Sequence, residues 1–407
     1  MRLSMAQAPA LTPAALPAVA RALLALTAPR PRPPADPVAL PELLALAAGH
    51  RMLGSLLHGI AATAAWPATD PVLVQARRQR AVAALARVRA LHAVAGALSG
   101  AGVPYAAIKG PALSMAIYGD ALRRDSSDLD VMVPLDRYPD AFAALCAMGA
   151  EPGDYALLLA CRRVRRRWPA PGAPDAAFRL PGLAGRGVEL HWRWSRHPLL
   201  PPVDPPRIWG GWRVEVMGRR LAVPDPVEQL IYLCVHGARH QWFRLGWLQD
   251  IRMTLHDPGW VGGGSGLEAA AARAAALYLG RPFAEAFLLA AALDGVPPPA
   301  AVASAAPVAE ARPAMDRMFA NLARPRPDNP EQRRWADLRG LVSEWRLRDG
   351  WSARHLLWRP LSLLAPSERD LTTLALPGWA GAAYWPLRPL LWAWRSLRRR
   401  PLAGAGR

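Results

Sequence analysis

One lysine, Lys109, stands among the 50 basic residues of this 407-residue chain, and every other basic position is arginine. Together with abundant Ala, Gly and Pro, that shortage points to GC-rich codon usage. The formal charge of +19 is therefore partly compositional and a weak argument for nucleic-acid binding. Cysteine is scarce as well. Cys146, Cys161 and Cys234 are odd in number and widely spaced, which excludes a disulfide framework and a paired-cysteine metal site and fits reduced residues of a cytosolic protein. No clean run of about 20 apolar residues is available to cross a bilayer. The nearest candidate, Leu374 to Leu397, is interrupted by Arg388 and Arg395. The apolar stretch near Leu23 lacks the order of charged start, apolar core and cleavage site that a secretory signal requires.

Proline is not scarce, and 43 of them argue against long uninterrupted helices. A hydrophobic fraction of 52% over this length supports two or three packed units. Residues 1–36 end in Pro-Arg-Pro-Arg-Pro-Pro and read as a poorly ordered leader holding one short helix at most. Residues 37–100 carry apolar positions at helical spacing and form a helical cap. Residues 101–225 mix strand and helix signals, residues 226–300 return to helix, and residues 301–407 make an Arg- and Trp-rich helical tail.

Within 101–225, Val103 to Ile108 is a short apolar run ending in Lys109-Gly110-Pro111, a strand that turns directly into a helix. Leu129 to Val133 predicts a second strand and Tyr138 to Met148 a helix. Val188 to Trp194 alternates, with Glu189, His191 and Arg193 on one face and Val188, Leu190 and Trp192 on the other. Val214 to Val223, broken by Gly218, reads as a hairpin. Helices are expected over Val227 to His240, Leu245 to Leu255 and Leu267 to Leu293.

The chemistry concentrates in Asp128-Leu129-Asp130. Strand residues two apart share a face, so the two carboxylates sit side by side while Leu129 and Val131 enter the core. Such a pair is a hard-oxygen site for Mg²⁺, which takes one or two carboxylates plus substrate phosphates. In a two-metal site, one ion activates a hydroxyl and the other holds the triphosphate and the leaving pyrophosphate. Glu189, on the polar face of an alternating strand, is the candidate third carboxylate; Asp125 and Asp136 do not share the face of the pair. Lys109 and Gly110 close a strand and open a helix, where free backbone N–H groups and the helix dipole cradle phosphate. A compact ammonium at the one lysine of the chain suits that task.

These elements resemble the uncharacterised bacterial nucleotidyltransferase family of the DNA polymerase β superfamily. The resemblance rests on Ala-Ile-Lys-Gly-Pro-Ala-Leu at 107–113, Tyr118, Arg123 to Val133, and Val-Glu-Leu-His-Trp at 188–192. It continues through Leu230 to Ile251, with His236, Gly237, His240, Trp242, Leu245, Trp247, Leu248 and Asp250, and spans roughly Pro41 to Pro298. It implies an α+β fold, a minimal nucleotidyltransferase mixed sheet flanked by N-terminal and C-terminal helical regions. It also implies Mg²⁺ on Asp128, Asp130 and Glu189, and transfer of a nucleotidyl group from a nucleoside triphosphate to an unidentified acceptor, in a group often encoded near polysaccharide-biosynthesis genes. Where the superfamily carries Gly-Ser, this chain has Lys109-Gly110. The phosphate contact then falls to Lys109, Gly110 and backbone amides, or to Arg123, Arg124 and Ser127.

Blander readings stand beside these. An Asp-x-Asp also occurs in loops and in metal-dependent glycosyltransferases, though those place it behind a nucleotide-binding βαβ region that is missing here. His191 either orients a ligand or simply packs. His236 and His240 share a helix face, but Gly237 stands where the helical zinc motif has glutamate, which favours structural or substrate-pocket histidines. Arg162 to Arg167 is a basic cluster better read as a solvated loop than as an RNA site, because only Trp168 offers a stacking ring. The stretch from Trp379 to Arg400 suits either peripheral contact with the inner membrane or packing on the catalytic unit. The alternative to an enzyme is a non-catalytic binding or assembly protein at a membrane or polysaccharide-synthesis complex.

Overall fold

The computed structural model describes residues 15–153, 156, 175–183, 187–194, 204–303, 308–323, 370, 373, 374, 376, 380 and 383–398. Five of its strands form one mixed sheet in the order β1-β2-β5-β4-β3. They are β1 (Ala106–Ala107), β2 (Asp128–Met132), β3 (Glu151–Pro152), β4 (Asp175–Arg179) and β5 (Gly187–His191). β2 and β5 run parallel; the other three pairings are antiparallel. Asp130 is the register partner of Glu189, and Met132 that of His191, so one sheet face collects the polar residues of both strands.

The other face is apolar. Leu129, Val131, Val188 and Leu190 pack with Val88, Leu91 and Leu98 of α4 (Pro71–Gly100) and with Tyr138 and Leu145 of the helix Tyr138–Ala147. Asp70 begins α4 by accepting from the Val72 and Leu73 amides, with Pro71 in the first turn where its missing N–H costs nothing. Thirty residues long, α4 overturns the expectation of short helices, because no proline falls between Pro71 and Pro104. By length and composition alone it passes for a helix able to cross a bilayer, as the core helix of a packed protein also can, and its buried stripe lies against the sheet.

A second hydrophobic core lies on the polar-faced side and is built from helices. It joins α1 (Ala18–Leu26), α2 (Leu40–Gly49) and α3 (Leu53–Thr63) to α8 (Pro226–Arg239), α9 (Leu245–His256), α10 (Gly263–Ala276) and α11 (Gly280–Asp294). In chain order α5 is Gly110–Tyr118, α6 is Tyr138–Ala147 and α7 is Pro205–Trp209. Within the stretch whose composition suggests a leader, α1 buries Leu23 and Leu26 completely. Arg252 of α9 donates to the Leu24 carbonyl and the Thr27 hydroxyl, and Gln249 donates to the Thr27 carbonyl, so the end of α1 is tied down by buried polar groups.

Several sequence expectations shift at their edges. The strand at Val103 to Ile108 shrinks to two residues, since Pro104 has no N–H for the ladder. The strand at Val188 to Trp194 ends at His191. The hairpin is β6 (Arg213–Val216) with β7 (Arg219–Ala222), turning through Met217 and Gly218, both at positive φ, as a type I′ turn requires. The single helix expected over Leu267 to Leu293 is two, broken around Tyr278 at φ 59°. Cys146 and Cys234 are free, as expected; Cys161 and the Arg162 to Arg167 cluster lie outside the described residues.

Candidate active site

Ligand atoms of Asp130, Glu189 and His191 lie within 4.8 Å of one another. β2 and β5 place them there through their register, and the neighbouring elements charge the site. Lys109, at the junction of β1 and α5, donates from Nζ to Asp130 Oδ1 at 2.8 Å. His191 Nε2 meets the same oxygen at 3.1 Å and lies 3.8 Å from Glu189. From β4, Asp175 stands 3.8 Å from His191 Nδ1. Asp128 is at the open end of the row, where its Oδ2 accepts from the Ser127 hydroxyl at 3.0 Å.

The electrostatics follow from crowding several ionisable groups into little water. Burial works against the Asp130 carboxylate, but Lys109 and the His191 hydrogen bond outweigh it and hold this carboxyl below its ordinary range. Lys109 is likewise penalised by burial and more than compensated by Asp130, so its ammonium stays above the usual lysine range. Glu189 goes the other way: burial, then the negative charges of Asp130 and Asp175, push it up to about 7. His191 is raised against the effect of burial by Asp130 and Asp175.

The residues fit a divalent cation on two counts. Asp130 Oδ2 is buried and has no hydrogen-bond partner among the described residues. A buried lone pair of this kind is costly unless something binds it. The crowding that lifts Glu189 is also what a bound cation relieves.

Of the residues expected to meet a nucleotide, Lys109, Gly110 and Ser127 border the carboxylates. Gly110 has φ +65° at the start of α5, a conformation that L side chains avoid, and it leads the chain into that helix. Arg124 is committed elsewhere: its Nε bonds both oxygens of the fully buried Asp250, at 3.1 and 2.9 Å, and Tyr118 donates to the same carboxylate at 2.8 Å. Arg123 lies 5.1 Å over the Tyr118 ring. Asp125, set aside on the sequence, caps α3 by accepting from the Leu53 and Gly54 amides and pairs with Arg80.

Sequence reasoning missed Asp175, because the strand carrying it showed no clear alternation, and Tyr232, because a tyrosine inside a helix signals only packing. The Tyr232 ring lies 5.2 Å from the Lys109 ammonium. One turn further along α8 comes His236, whose ring is 5.6 Å from that of Tyr232 and 4.7 Å from that of His240. His236 and His240 join no group of three or more candidate metal ligands among the described residues.

A family model described as "uncharacterised nucleotidyltransferase" matches residues 36–295, a stretch that includes the whole sheet and α2 to α11. Searches of the curated proteins and of the solved structures returned no match.

Proposed function

The chain belongs to the uncharacterised nucleotidyltransferase family, and from that premise we propose a Mg²⁺-dependent enzyme that moves a nucleotidyl group from a nucleoside triphosphate to a hydroxyl acceptor. The observation that carries the proposal is the convergence of Asp130, Glu189 and His191, whose ligand atoms lie within 4.8 Å of one another, together with a second Asp130 oxygen that is buried and has no hydrogen-bond partner among the described residues. Asp130 and Glu189 would hold the cation, with Asp128 completing the carboxylate row and His191 orienting Asp130 through its Nε2–H. Bound there, the metal supplies charge neutralisation for the triphosphate and lowers the pKa of an acceptor hydroxyl.

The chain's own residues prepare that chemistry. Lys109 and His191 fix Asp130 in its ionised form from one side, which leaves the other oxygen available. Glu189, lifted by burial and by the charges of Asp130 and Asp175, is the carboxylate whose ionised form a bound cation would favour. The start of α5 offers backbone N–H groups and the positive end of a helix dipole beside Lys109, and Ser127 adds a hydroxyl, a set of donors suited to phosphate. The acceptor hydroxyl would give up its proton to solvent as its oxygen bonds to the α-phosphorus, and the bond from that phosphorus to the bridging oxygen would break to release pyrophosphate.

Incubating the purified chain with labelled nucleoside triphosphates, Mg²⁺ and a cell extract, and identifying the labelled product, tests the activity and names the acceptor. Turnover that survives in the Asp128→Asn, Asp130→Asn double variant would overturn the mechanism. Calorimetry supplies a second criterion: a scaffold protein shows no metal-dependent nucleotide binding.

A further inference from the structure

We propose that the rings of His236, His240 and Trp247 form a stacking platform for the base of the nucleotide, an inference that rests on the nucleotidyltransferase reading. The platform continues directly from the catalytic face. Lys109 bridges Asp130 and the Tyr232 ring; from Tyr232 the contacts pass to His236, which meets Trp247 edge-on at 5.3 Å. His240 lies against Trp247 with ring centroids 4.7 Å apart and planes 29° apart. Tyr232 is buried beneath, whereas His236, His240 and Trp247 each stay partly exposed. For a nucleotide whose phosphates meet Lys109 and the carboxylates, this run of contacts from Lys109 through Tyr232 and His236 to Trp247 would be the course followed by its ribose and base.

The turn that presents the rings is built against conformational preference. Gln241 and Trp242 both have positive φ, 53° and 52°, which is unfavourable for L residues and for tryptophan especially. Trp242 holds the turn by burying its indole against Gly237, where an added Cβ would come within 2.0 Å of the ring, and by donating to Glu285 at 2.8 Å. The chain reverses there and swings Phe243, Arg244 and Trp247 back beside α8. Arg244 lies over the Phe243 and Trp247 rings at 5.2 and 5.8 Å, and Arg239 contacts His240 Nε2 at 3.1 Å. A cationic rim around flat rings is the chemistry that receives an aromatic ligand joined to an anionic tail.

The experiment is calorimetry on the full chain with Mg²⁺ and either α,β-methylene analogues of ATP and UTP or inorganic tripolyphosphate, which has no base. Trp247→Ala and His240→Ala are expected to weaken both analogues roughly tenfold or more, as loss of a stacking ring does. Tripolyphosphate binding should be unchanged, and Trp247→Phe should restore most of the loss. Unchanged analogue affinity in both alanine variants overturns the platform and leaves the proposed activity standing. An equal loss of analogue and tripolyphosphate binding assigns the rings a structural role and overturns it too. If the unaltered chain binds neither ligand, the nucleotidyltransferase reading itself fails, and the platform with it.

Discussion

Arg124 and Asp250, 126 residues apart in the chain, form a two-oxygen ion pair with both side chains almost fully out of water. The pair joins the loop before β2 to α9, so the position of the carboxylate row depends on the helical core.

Removing one member leaves the other charged and buried. Asp250→Ala should therefore lower the unfolding free energy by about 3–5 kcal/mol, read from urea denaturation. In a double-mutant cycle, Arg124→Ala and Asp250→Ala together should cost clearly less than the sum of the single changes. Additive costs would show that the two are not coupled.

Asp130 is the carboxylate on which Lys109 and His191 converge. Asp130→Asn should reduce metal-dependent nucleotidyl transfer by more than about 100-fold, beyond the ~10–100-fold typical of residues that only orient a ligand. Lys109→Met, which removes the ammonium that holds Asp130 ionised, should lower turnover as well. Transfer assays under saturating Mg²⁺ measure both.

Burial first, then the nearby charges of Lys109, His240 and Arg239, hold His236 well below the ordinary histidine range, so the folded protein keeps it neutral. Below about pH 6.5 an unfolded histidine takes up a proton that the folded one refuses, and stability is lost as pH falls. His236→Gln should flatten that part of the profile. Denaturation at pH 7.5 and 5.5 should show a smaller difference for the variant than for the unaltered chain.

Leu23 lies in the stretch that composition assigns to a linker, yet it is completely buried. Leu23→Ala should cost about 2–5 kcal/mol, the range for a core leucine. A cost near zero in chemical denaturation would return α1 to the status of an appended segment.

What the sequence determined by itself is what short-range periodicity encodes. Alternation from Val188 to Trp194 and the spacing of Asp128 and Asp130 announced two strands with acidic faces, and helical spacing beyond Pro226 announced the helix that begins there. The family resemblance over 107–251 pointed to the same elements. Tertiary structure decided which of these residues meet. The parallel register of β2 on β5 sets Glu189 opposite Asp130 and brings His191 to the same oxygen as Lys109; pairing between strands about sixty residues apart leaves no local trace. Arg124, one of several alternatives for the phosphate contact that the resemblance left open, pairs with a buried aspartate from α9, a partner 126 residues away that the sequence does not reveal. Such outcomes rest on desolvation and on contacts between distant segments, which exist only once the chain has packed.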